Sequence, residues 1–197
     1  MTTNIPYNRT LLVGAFWPEK KESKWQRLLI LVVGGSLLLA LSAKIQVPFW
    51  PVPMTMQTMV VLILGLGLGW RLGCATYALY LLEGAIGLPV FAKGAGITYM
   101  LGPTGGYLLG MFFACFIVGK FAERGWDKTF FTTATAMFIG NLTIYIPGLL
   151  WLGVAVGWSK PILEMGLYPF LYGDVLKLFL AAVLVPASWK ILDWAKK

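Results

Sequence analysis

The sequence predicts an all-α integral membrane protein with six transmembrane helices and both termini cytoplasmic. Three observations carry that reading. Charged residues make up only 12% of the 197 residues and hydrophobic ones 58%, whereas a soluble domain carries about 25% charged residues. The apolar residues gather into runs near the roughly 20 residues a helix needs to cross a bilayer. The basic residues are spread so unevenly between the connections that an orientation follows.

Residues 1–27 read as a cytoplasmic lead carrying Lys20, Lys21 and Lys24, with nothing resembling a cleaved signal peptide. The membrane domain covers residues 28–192, and residues 193–197 form a cytoplasmic tail. The first span, 28–45, ends before Pro48, Pro51 and Pro53, which cannot continue a helix. The second and third, 55–70 and 72–90, join through Arg71 with almost no loop, as a tight hairpin. Gly65, Gly67, Gly69 and Gly73 line that hairpin, and small residues let helices approach closely in lipid. The fourth span is 105–121. The fifth, 130–154, contains Pro147, and the sixth, 169–192, contains Pro186; each proline marks a kink.

With the N-terminus inside, Arg9, Lys20, Lys21, Lys24, Arg27, Arg71, Lys120, Arg124, Lys128, Lys190, Lys196 and Lys197 are cytoplasmic. Only Lys44, Lys93 and Lys160 fall outside. The net charge of +8 is therefore topological, matching a lipid bilayer and no nucleic acid. The chain has no histidine, which excludes histidine triads and histidine zinc chemistry. It has no G-x-x-x-x-G-K-[ST] motif and so no P-loop. Cys74 and Cys115 lie in apolar runs and read as small core residues, with no disulfide, metal or cofactor expected.

The polar groups at membrane depth are Gln57, Glu83, Asn141, Tyr145, Asp174 and Lys177. At 1.5 Å per residue all fall in the outer half, which points to one pocket opening outward. Asp174 and Lys177 share a helix face at i, i+3. An ionised group at the bilayer centre costs roughly 2.5–3.5 kcal/mol, so such residues pair, face the protein interior or meet a ligand. Asn141 also fits a plain interhelical hydrogen bond, and Glu83 a structural partner for Lys177. The outer connections 43–55 and 91–104 are apolar, proline-rich or glycine-rich, and read as lids. Interfacial anchoring by Trp50 and Tyr99 is the alternative. Lys93 is the only cation in its lid.

Several blocks resemble one known family. They are residues 40–48 (ALSAKIQVP), 51–58 (PVPMTMQT), 87–92 (GLPVFA), 101–110 (LGPTGGYLLG) and 169–177 (PFLYGDVLK). Together they are similar to the BioY family, the biotin-binding S components of energy-coupling factor (ECF) transporters. The resemblance implies an ECF S-component-like fold, biotin as transported ligand, and a location in a prokaryotic cell membrane. It also implies a transmembrane scaffold subunit and two ATPase subunits as partners, in keeping with the missing P-loop, and no enzymatic activity in this chain. It places the family's Asp-x-x-Lys pair on Asp174 and Lys177 and the polar residue of the fifth span on Asn141. The small residues that contact the scaffold fall on Ser36 and Ala40, a spacing broken at Lys44. Trp50, Tyr99, Tyr107 and Tyr145 are candidates to pack on the biotin bicycle. A solitary carrier, an S component for another vitamin, and a structural membrane protein are the rival readings.

Overall fold

The computed structural model describes residues 11–17 and 24–195. The basic residues Arg9, Lys20, Lys21, Lys196 and Lys197, counted above as cytoplasmic, lie outside that range. A short helix α1 (Leu12–Phe16) precedes α2 (Lys24–Lys44). Strands β1 (Gln46–Val47) and β2 (Met54–Thr55) pair antiparallel and hold the proline segment between them as a loop. Then come α3 (Gln57–Ala85), α4 (Gly96–Met100), α5 (Gly105–Glu123), α6 (Phe130–Val156), α7 (Ile162–Gly166) and α8 (Tyr168–Ala195). Among the described residues, five helical stretches are long and apolar enough to cross a membrane: Lys24–Lys44, Gln57–Ala85, Gly105–Glu123, Phe130–Val156 and Ile162–Trp194.

The second of these stretches is not straight. Gly69 has φ 75° and ψ 172°, a conformation that glycine adopts without steric cost. A Cβ placed on Gly73 would lie 3.3 Å from the Cα of Gly65. In a continuous helix, eight residues separate two positions by about 12 Å. The chain therefore doubles back at Gly69, and residues 57–68 and 70–85 form two antiparallel arms. The turn falls two residues before Arg71, because only a glycine there supplies the positive φ.

The boundaries of α6 follow local chemistry. Thr129 caps its start, its side-chain oxygen accepting from the Thr132 amide, and Gly157 at φ 92° ends it. α5 packs between α3 and α6. A Cβ on Gly110 would come within 2.6 Å of the Ile144 carbonyl oxygen, so glycine is what lets α5 lie against the α6 backbone. Tyr77 on the second arm of α3 donates to the Leu108 carbonyl at 3.1 Å. α2 packs on α3, and α8 on α6.

The two ends of the bundle differ. At one end, Arg27 donates to the Val13 carbonyl at 3.1 Å, α1 packs near the Gly69 turn, and Trp189 Nε1 donates to Asp127 Oδ2 at 2.7 Å. At the other end the two connections expected to be lids bond to each other. Gln46 Nε2 donates to the Ala92 carbonyl at 3.1 Å, Lys93 Nζ to the Phe49 carbonyl at 3.2 Å, and Lys44 Nζ to the Phe91 carbonyl. The Phe91 and Tyr99 rings stack 5.1 Å apart within the second lid.

Candidate ligand-binding site

The first turns of α8 carry Asp174 and Lys177 inward. Their side chains are each 9% exposed and pair with Lys177 Nζ 3.0 Å from Asp174 Oδ1. Neither is held by α8 alone. Tyr145 on α6 donates its hydroxyl to Asp174 Oδ2. Lys177 Nζ donates a second time, to Thr58 Oγ1 on α3, at 3.1 Å. Three helices thus converge on one buried ion pair, which satisfies part of the polarity that burial makes costly. A third N–H on Lys177 and spare lone pairs on the carboxylate remain for another molecule.

This pair lines a cavity of about 570 Å³ between protein atoms, its mouth included. Gln57, Tyr107, Asn141 and Tyr145 line it too. The ceiling comes from the lids, through Val52, Pro53, Ala92 and Tyr99. Phe170, Met111 and Ile144 supply apolar wall. Two polar groups have unused capacity. Gln57 Nε2 is buried with no hydrogen-bond partner among the described residues, and an orphaned buried donor costs about 1–3 kcal/mol. The Asn141 side chain makes no hydrogen bond to the described protein either. Burial pushes the Tyr99 hydroxyl above its ordinary pKa, so in the lid it remains a neutral donor. The site offers one acceptor pair, several donors and aromatic walls, a pattern suited to a small polar heterocycle with an apolar body.

Seven expected residues therefore meet in one place: Gln57, Tyr99, Tyr107, Asn141, Tyr145, Asp174 and Lys177. Lys93 lies at the rim, lining an outer recess that shares Pro53, Tyr99 and Thr104 with the cavity. The structure does not bring the other candidates to the cavity wall. Trp50 is 78% exposed and does not line the cavity. Glu83 lies in the packing between α3 and α2, where it accepts from Ser36 Oγ at 3.0 Å. Ser36 is fully buried and Ala40 partly buried. Leu29, Val33, Leu37 and Leu41 are exposed on α2. Thr58, Thr104 and Phe170 were missed. For Thr58 the available signal was its position next to Gln57 at the mouth of the same helix.

Fold and site together define a multi-span membrane protein with a ligand cavity closed by two loops. The model of the BioY family matches residues 18–194. A probable biotin transporter BioY of Pyrococcus horikoshii is 38% identical over 148 residues, covering 75% of this chain and 86% of the relative. The biotin transporter BioY of Thermotoga maritima is 36% identical over 149 residues, with the same coverage of 75% and 86%. The biotin transporter BioY2 of Lactococcus lactis is 33% identical over 175 residues, 86% of this chain and 93% of the relative. The crystal structure of the S-component for biotin from an ECF-type ABC transporter superposes with a TM-score of 0.74 at 25% identity, covering 87% of this chain and 95% of that one. The chain belongs to the BioY family.

Proposed function

We propose that this chain captures biotin at the outer face of a prokaryotic cell membrane, as the S component of an ECF-type transporter. The observation that carries the reading is the buried Asp174–Lys177 pair, bracketed by Tyr145 and Thr58 inside a lidded cavity. The reversal at Gly69 supports six crossings rather than five, and an even number puts both termini on one side. The excess of lysine and arginine at the end opposite the cavity supports that side being cytoplasmic.

In this reading Asp174 accepts the ureido N–H groups of biotin. Asn141, Gln57 or the free N–H of Lys177 donates to the ureido carbonyl. Charge-assisted bonds of this kind are the stronger class. Tyr107, Tyr145 and Phe170 cover the apolar bicycle, and the valerate carboxylate runs toward Lys93 at the rim. Entry requires the lids to part, which breaks the bonds from Lys44, Gln46 and Lys93. The chain is a transport component and not an enzyme; a scaffold subunit and two ATPases supply the energy.

The test is uptake of labelled biotin by transport-deficient cells expressing this chain with and without a scaffold–ATPase module. Uptake that requires the module's ATP hydrolysis is expected. Equal uptake without any ATPase contradicts the S-component assignment. No biotin accumulation with a complete, assembled module contradicts the ligand.

A further inference from the structure

At the end opposite the cavity, a groove of about 760 Å³, its open mouth included, runs between the first turn of α6 and the last turns of α8. It belongs to none of the machinery described above. We propose that it is a binding site for one anionic phospholipid, with the phosphate held between Lys128 and Lys190. The groove has a polarity gradient. Lys128, Thr129 and Lys190 stand at its rim, and Ala182, Val183 and Pro186 line its length. Ala182 lies eight residues before Lys190 on α8, about 12 Å deeper along the helix. A charged rim over an apolar trough matches a headgroup followed by an acyl chain, which a free anion in water does not need.

The cations are available. Neither Lys128 nor Lys190 forms an ion pair among the described residues. Lys128 is steadied over the Trp189 ring, its Nζ 5.3 Å from the centroid. Two carboxylates are near in sequence. Asp127 is fully buried and engaged by Trp189 Nε1 at 2.7 Å; it attracts Lys128 electrostatically but makes no direct ion pair with it. Asp193 is exposed, one turn past Lys190, and makes no ion pair with it. The first amide groups of α6 add positive potential beside Thr129. Basic pockets between membrane helices on the cytoplasmic side suit anionic headgroups. The leaflet assignment rests on the orientation proposed above.

The experiment is native mass spectrometry of the purified chain from micelles holding equal phosphatidylglycerol and phosphatidylcholine. Preferential retention of one phosphatidylglycerol is expected. K128Q/K190Q should lower that retention about tenfold or more, since each lysine near an anionic surface contributes on the order of 1 kcal/mol. K128R/K190R should retain it, and K160Q, at the other end of the bundle, should leave it unchanged. Equal retention of the two lipids, an equal loss in K160Q, or displacement of the lipid by millimolar inorganic phosphate would each overturn the proposal. Biotin titration of the same samples separates the two readings. K128Q/K190Q should bind biotin as the unsubstituted chain does, and failure of the unsubstituted chain to bind biotin would count against the function and leave the lipid result standing.

Discussion

Replacing Asp174 by Asn keeps the shape of the side chain and removes its charge. Lys177 Nζ sits 3.0 Å from Asp174 Oδ1, where two unit charges attract by about 5–6 kcal/mol at an effective dielectric of 20. Much of that offsets desolvation, and losing one partner of a buried pair costs about 3–5 kcal/mol net. After the substitution the Lys177 ammonium keeps only neutral acceptors, Thr58 Oγ1 and the Asn amide oxygen, and no counter-charge. The folded protein should therefore melt at lower temperature. Its bond to a ligand N–H should lose the charge-assisted part, roughly 1.5–3 kcal/mol, a tenfold to 150-fold rise in Kd. Calorimetric titration with biotin reads the second effect and a melting curve in detergent the first. The double variant D174N/K177M separates them: removing both charges restores much of the stability, yet binding stays weak. A Kd for D174N within twofold of the parent, in folded protein, refutes the reasoning. So does a double variant that recovers affinity together with stability.

Other outcomes follow from the same geometry. Y145F removes the hydroxyl that bonds Asp174 and should weaken biotin binding by about 1.5–3 kcal/mol with little loss of the lids; unchanged affinity in calorimetry contradicts the bracket. G69V forces a β-branched residue to φ 75° with the Leu11 side chain close by, and should cost at least about 2 kcal/mol, read as a lower melting temperature. Asp127, outside the spanning segments, has its carboxyl held above the ordinary range by burial, with the Trp189 N–H opposing. The folded state then binds its proton more tightly than the unfolded chain. Stability should rise as pH falls through the folded value and level off below the unfolded value of about 3.9. D127N should flatten that part of the pH profile of melting, and an unchanged slope counts against it.

What the sequence disclosed of the site was depth. Asp174, Lys177, Asn141 and Tyr145 interrupt apolar runs at similar distances from one end, and charge or polarity in such runs is conspicuous because it is costly. Azimuth was harder to read. α3 is apolar on nearly every side, so nothing in its pattern told that Gln57 faces the cavity while Glu83 faces α2. Threonine was silent for a related reason: in a helix its hydroxyl is readily satisfied by the carbonyl one turn back, as Thr143 is by Ile139 at 2.8 Å, so Thr58 gave no sign of meeting Lys177. The hairpin is legible from its glycines, and the bounds of the two apolar runs put its turn at Arg71. The backbone places it at Gly69 because the reversal needs a positive φ. The short helices α1, α4 and α7 have five residues each, too few to show periodicity, and were not foreseen.

Biotin titration of the detergent-purified chain, read by calorimetry and by intrinsic tryptophan fluorescence, tests whether Asp174 and Lys177 build a biotin site. Saturable one-site binding in roughly the nanomolar range, weakened at least tenfold in D174N, is the expected result. Folded protein that shows no saturable heat or fluorescence change with biotin would contradict it.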